Sequence, residues 1–157
     1  MNSKKKPRYI NVTLNIEEKE YIDNFKKYDK GILIFEPTHT NWFIVKLPEE
    51  VNIPAWQVSS IKLPNYKLGS WEDTEIEFYD LINHDGTTTS KNIYNNLLSK
   101  KDFKVEVLLL DNTGYVLQTY EIEIGYTSLI DFDKLDYNSD ERIKTKVSFR
   151  TITFKII

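Results

Sequence analysis

Apolar residues in the segment Ile143 to Ile157 first occupy odd positions (Ile143, Val147, Phe149) and then even ones (Ile152, Phe154, Ile156). The segment contains no Gly or Pro and is rich in Val, Ile, Thr and Phe, which predicts one long strand. Strand side chains alternate between faces. The change of phase therefore demands a bulge near Arg150-Thr151, or burial of opposite faces at the two ends. A strand that gives one face to its own domain and the other to a neighbour points to assembly rather than catalysis.

The same reading extends along the chain. Phe103, Val105, Val107 and Leu109 alternate on one strand, and Val116, Tyr120, Ile122 and Ile124 on the next. Asp111-Asn112-Thr113-Gly114 between them has the composition of a hairpin turn. Further strands are expected over Ile32 to Phe35, Trp42 to Leu47, Gln57 to Leu63 and Trp71 to Tyr79, with Pro64 to Gly69 as a connection. Residues 1–13 are expected to be flexible, with Val12 and Leu14 opening a short strand. Asn15 caps an expected helix in which Tyr21, Ile22, Phe25 and Tyr28 form an apolar stripe, ended by Gly31. A second helix over 90–100 carries Ile93, Tyr94, Leu97 and Leu98, with Thr89 or Ser90 as its cap. The pattern predicts a mainly β fold: an antiparallel sandwich or partly closed barrel of seven or eight strands, with one helix packed on it. An extension with a short helix (1–40) precedes the β domain (41–157).

Composition narrows the function. The chain of 157 residues has no Cys, which excludes a disulfide scaffold and thiolate chemistry. No apolar run approaches the length of a membrane span, and the start lacks the apolar core of a signal peptide. Four of the 21 basic residues (Lys4, Lys5, Lys6, Arg8) fall within the first eight positions. No acid precedes Glu17, so the rest of the chain sets seventeen basic side chains against twenty-four acidic ones. A basic arm on an acidic body suits a solvated tail, docking on an adjacent copy, or nucleic-acid contact. The acidic remainder weighs against general nucleic-acid affinity.

Catalytic and metal chemistry find little support. The acids Asp131, Asp133, Asp136, Asp140 and Glu141 lack the Gly and the regular ligand spacing of a calcium loop, so turn and capping roles are expected. Glu72, Asp73, Glu75, Glu77 and Asp80 do not form two carboxylates facing across a cleft, as glycoside hydrolysis requires. His39 and His84 fall in expected turns without partners, and the five glycines make no phosphate-cradling loop. No enzyme activity, cofactor or metal is expected. Trp42, Trp56 and Trp71 would serve sugar stacking in a carbohydrate- or partner-binding β-sandwich. Core or subunit-contact roles are favoured for Trp42 and Trp71, while Trp56 is expected to be exposed.

An ordered set of segments runs from Asn41-Trp42-Phe43-Ile44-Val45-Lys46-Leu47 through Ser59-Ser60-Ile61-Lys62-Leu63-Pro64 and the tryptophan-led Trp71 to Asp80. After the single helix it closes on Ser128 to Phe132 and Leu135-Asp136-Tyr137-Asn138-Ser139-Asp140. This set resembles the tail tube proteins of contractile-tailed bacteriophages, and the related ring proteins of phage baseplates and type VI secretion tubes. The resemblance implies a structural virion subunit, assembled in the bacterial host cytoplasm, that forms hexameric rings around a channel for DNA. Its implied partners are further copies of itself, adjacent tube rings, sheath and baseplate proteins, and transient non-specific DNA in the lumen. A baseplate initiator or tail terminator ring is the nearest alternative. Tube proteins commonly carry a long stacking loop, whereas Pro64 to Ser70 is short here; the extension at 1–40 is expected to take over stacking contacts. Lumen-facing candidates are Glu75, Glu77, Thr119, Glu121 and Glu123, with Lys144 and Lys146 expected opposite Glu121 and Glu123, leaving a weakly negative wall. Subunit-interface candidates are Tyr21, Ile22, Phe25, Tyr28, Trp56, Ile152, Phe154 and Ile156.

Overall fold

The computed structural model describes residues 8–11, 32–35 and 42–157. The chain divides into two compact units, Met1–His39 and Thr40–Ile157. In the first, β1 (Arg8–Asn11) pairs antiparallel with β2 (Ile32–Phe35), Arg8 opposite Phe35 and Asn11 opposite Ile32. Arg8–Asn11 is thus a paired strand where the sequence suggested a flexible tail. The short strand at Val12 and Leu14 and the helix carrying Tyr21, Ile22, Phe25 and Tyr28 lie outside the described residues.

The second unit is mainly β, as its alternating pattern dictates. A six-stranded antiparallel sheet is nearly closed into a barrel. Its strands are β3 (Phe43–Lys46), β4 (Val58–Lys62), β7 (Thr74–Tyr79), β8 (Lys101–Leu110), β9 (Val116–Asp131) and β10 (Lys144–Ile156), in the order β3-β8-β9-β10-β7-β4. The β8–β9 hairpin forms where its turn chemistry placed it. Asp111 Oδ1 accepts from the Thr113 amide (2.8 Å), the Thr113 hydroxyl (2.7 Å) and the Tyr115 amide (2.9 Å). Gly114 takes φ +96, a conformation a β-carbon would disfavour.

The helix α1 (Thr89–Asn96) is shorter than the sequence implied, and its cap is Thr88, whose hydroxyl accepts from the Lys91 amide at 3.2 Å. Thr89 is instead buried, donating to Gln57 Oε1 (2.8 Å) and accepting from the Leu81 amide (3.0 Å). The helix and the turn that follows it bury Ile93 and Leu97 and expose Tyr94 and Leu98, so the expected four-residue stripe splits into two pairs. Ile93, Leu97 and Val51 close the core over Val45, Ile76, Phe78, Val105, Val107, Ile122, Ile124, Val147 and Phe149. Carboxamides tie the connection after β3 to this helix: Asn96 donates to the Val51 carbonyl at 2.9 Å and Asn92 to that of Asn52 at 3.3 Å.

Two departures from the expected strands shape the surfaces of the sheet. The segment expected as one strand from Trp71 to Tyr79 is broken. Ser70–Trp71 (β6) pairs with Tyr66–Lys67 (β5) in a small separate hairpin, turned through Leu68 (φ +52) and Gly69 (φ +85). The connection Pro64 to Gly69 is therefore structured. The long terminal strand is bulged as its change of phase required, with register shifts against β9 at Ser148/Phe149, Arg150/Thr151 and Thr151/Thr153. Phe154 and Ile156 share a face opposite Ile122 and Tyr120, whereas the bulge turns Ile152 to the other side, onto Gly125. The expectation that Ile152, Phe154 and Ile156 share one face is corrected for Ile152.

Candidate assembly interface

The sheet has a core face and a water face, and the water face is charged in register. One row crosses four strands: Lys46 of β3, Glu106 of β8, Glu121 of β9 and Lys155 of β10. The like-charged pair Glu106–Glu121 at its centre is relieved from both sides, by Lys46 on Glu106 at 3.8 Å and Lys104 on Glu121 at 3.7 Å. Lys104 also stands opposite Glu123, which accepts the Thr153 hydroxyl at 2.8 Å. On the other half of the sheet, Lys62 faces Glu75, and Lys146 lies between Glu77 and Asp131.

Lys144 and Lys146 therefore do not pair with Glu121 and Glu123. They lie beside β7, with Lys144 3.9 Å from Glu77 and Lys146 4.0 Å from Glu75. Register and strand order decide this: β7 stands next to the first half of β10, and the antiparallel register of β9 meets that half only at its far end, around Asp131. On this face six lysines (46, 62, 104, 144, 146, 155) meet six acids (75, 77, 106, 121, 123, 131). Within these rows the charges of the lysines and acids cancel. Each half-exposed pair stabilises by only about 0–1 kcal/mol, so what the rows chiefly set is the field.

The edges of this sheet are staggered. β3 covers β8 only over Glu106–Leu109, so Lys101–Val105 has no ladder partner on its side away from β9 among the described residues. β7 covers β10 only over Lys144–Phe149, so Thr151–Ile156 is likewise unpaired on its outer side. The two open edges lie on opposite sides of β9. Along the second runs an aromatic row on the core face, Tyr66–Trp71–Phe154–Tyr120, with ring centroids 4.8, 5.3 and 5.5 Å apart in turn.

The candidate residues fall as follows. Glu75, Glu77, Thr119, Glu121 and Glu123 are half-buried on the water face, with Ile76, Phe78, Ile122 and Ile124 buried opposite. Trp56 (62% exposed) and Ile156 (61%) stand out from the surface, and Phe154 is half-buried in the aromatic row. Tyr21, Ile22, Phe25 and Tyr28 lie outside the described residues. Sequence reasoning missed Tyr66 and Leu68. The adjacent Leu68-Gly69 was the available signal, since a turn with positive φ at both central positions favours Gly at the second.

The loop from Phe132 to Ile143 is exposed throughout, and its polar groups serve its own turns. Asp131 accepts from the Asp133 amide and Asp136 from the Asn138 amide, both at 2.9 Å. Among the described residues no cluster of His, Asp and Glu is arranged to hold a metal ion. His84 is exposed in a turn, and His39 lies outside the described residues. Two open surface hollows, one beside Tyr94 and Phe132 and one beside Leu98, Tyr126 and Ile152, have no tryptophan in their walls.

No protein-family model matches the chain, and no curated protein does. Among solved structures the fold is similar to a chain of the sheath–tube complex of an extracellular contractile injection system (PVC) in its extended state. That likeness has a TM-score of 0.53 at 15% identity, over 77% of this chain and 91% of the other. It is similar too to the cap of the anti-feeding prophage (AFP), a tube-terminating cap, with a TM-score of 0.58 at 15% identity, over 82% and 95%. At such identity the likeness establishes the fold alone: the β domain folds like chains of a contractile injection system's sheath–tube complex and of a tube-terminating cap.

Proposed function

We propose that this protein is a structural, non-enzymatic subunit of the tube, or of a tube-end ring, in a contractile tail or injection particle. It assembles head to tail into closed rings, six copies being the expected number, and the rings stack into a passage through which DNA slides in the phage form of such a machine. The observation that carries this reading is the staggered sheet with its two open edges on opposite sides. A contact between unlike edges of identical copies must either close into a ring or run on indefinitely, and closure pairs both of these staggered edges in every copy. The likeness to a tube-terminating cap supports the tube-end version alongside the main-tube version. Sheath and baseplate proteins are the remaining partners, and the extension at 1–40 supplies contacts between rings or copies.

In this reading the water face lines the passage. Its balanced rows give a passing polyanion neither a basic groove to hold it nor a strong repulsive field, and screening within about 8 Å confines what field remains to the wall. Electron microscopy of the purified protein at rising concentration tests the proposal. Rings with a central opening, stacking at high concentration, are expected. A compact monomer at every concentration, without rings, would overturn it.

A further inference from the structure

The unpaired side of Thr151–Ile156 is not bare. The segment is β-prone, lacks Pro and carries a single charge, Lys155, so it would template pairing with other chains unless shielded. The β5–β6 hairpin stands beside it. The Trp71 ring packs on Phe154 with centroids 5.3 Å apart, and Tyr66 meets Trp71 edge-on at 4.8 Å. Arg150 Nη1 donates to the Trp71 carbonyl at 2.7 Å, a charge-assisted bond where a sheet would place a neighbouring backbone N–H. Rings and one side-chain bond hold the hairpin there, with no ladder to β10.

The hairpin is also short. Each strand is two residues long, extended by the Glu72 amide on the Asn65 carbonyl (2.8 Å) and Asn65 Nδ2 on Glu72 Oε1 (3.2 Å). Its turn sets Leu68 at φ +52, where a β-carbon is disfavoured, with the side chain 96% exposed. A ribbon of this size does not hold its shape in water unaided. If it leaves, Arg150 keeps a charge partner in Asp73, 4.0 Å away, so no ion is stranded. Strain and exposure at such a position point to a segment with a second state.

We propose that the β5–β6 hairpin is a displaceable guard over the open edge of β10, and that the strand replacing it is the unpaired Lys101–Val105 edge of β8 in a second copy. This rests on the reading above that the chain assembles head to tail. The occupant follows from the sheet itself. Each copy carries both unpaired edges, six residues on β10 and five on β8, on opposite sides of β9, so one pairing rule repeats around a ring. The guard keeps newly made subunits apart, and its displacement ties assembly to the arrival of the correct edge.

Two variants with opposite expected effects test this. Arg150→Gln loosens the guard and should lower the critical concentration for assembly by about tenfold, the worth of one charge-assisted hydrogen bond. Leu68→Asn suits the left-handed turn, tightens the guard and should raise that concentration. In the natural protein, hydrogen exchange at Thr151–Ile156 should slow on assembly while that of the hairpin quickens. If the natural protein assembles but both variants shift assembly the same way, or neither shifts it, the guard is refuted while the assembly reading stands. If the natural protein never assembles, both readings fall.

Discussion

Ile152 lies across the bare backbone of Gly125: a β-carbon added there would stand 3.0 Å from Ile152 Cδ1 and 3.3 Å from its Cγ1. The contact is the outer counterpart of the β10 bulge. The register shift between Thr151 and Thr153 turns Ile152 away from the core, and Gly125 leaves the room its side chain needs. Because the opposing atom is the end of a flexible side chain, Gly125→Ala should cost less than about 1 kcal/mol. Combined with Ile152→Ala it should show a favourable coupling of about 0.5 kcal/mol or more in urea unfolding. Strict additivity would mean the two residues do not compete for this space.

A second stability test lies in the core. Thr145 is buried opposite Phe78, and its hydroxyl has no hydrogen-bond partner among the described residues. A buried hydroxyl left unpaired costs free energy that an isosteric methyl does not. Thr145→Val should raise stability by about 1 kcal/mol in denaturant unfolding. A clear loss instead would mean that the hydroxyl has a partner in solution.

The acid side of the stability curve should report on the β8–β9 turn. Hydrogen bonds, first from the Thr113 hydroxyl and then from the amides of Thr113 and Tyr115, hold the Asp111 carboxyl below its usual value near 3.8. A depressed folded-state pKa means the turn contributes fully above the unfolded value and loses its contribution as pH falls through the folded one. Asp111→Asn should therefore be less stable than the natural protein at pH 7, and the difference should shrink as pH drops below about 4. A gap of constant size from pH 7 to pH 2 would show that the charge on Asp111 is not what the turn uses.

Residues within one strand or one turn were legible from sequence; residues that meet across strands were not. The Asp111–Gly114 turn and the break of phase near Arg150 are local, set by turn chemistry and side-chain alternation, and both appear where the pattern put them. The partners of Lys144 and Lys146 depend on register and strand order together. β9 and β10 are neighbours, but their antiparallel register sets Glu121 opposite Lys155 and Glu123 opposite Thr153, and the strand order brings the β7 acids beside the two lysines. Trp71 was read as leading a strand because Trp71 to Tyr79 alternates well. The local hairpin with Tyr66–Lys67 takes Trp71 instead, and the contacts that hold it there are distant in sequence: the Arg150 guanidinium on the Trp71 carbonyl and the Phe154 ring against its indole.

The balance of the water face gives the last prediction. Glu121 and Glu123 stand between Lys46, Lys104 and Lys155 in the rows of β3, β8, β9 and β10. Reversing them (Glu121→Lys with Glu123→Lys) would leave that half of the face almost wholly basic, and every copy in a ring would repeat the change. A basic lining gains affinity for phosphates by releasing counterions, an effect that grows with each contact and fades with salt. Assembled rings of the natural protein should therefore leave added DNA open to nuclease at physiological salt, whereas the double variant should protect a fraction of it, less as salt is raised. Nuclease resistance separates DNA in the passage from DNA on the basic arm at Lys4, Lys5, Lys6 and Arg8, which is present in both proteins. Protection by the natural rings, or none by rings of the variant, would show that this face does not line the passage as a neutral wall.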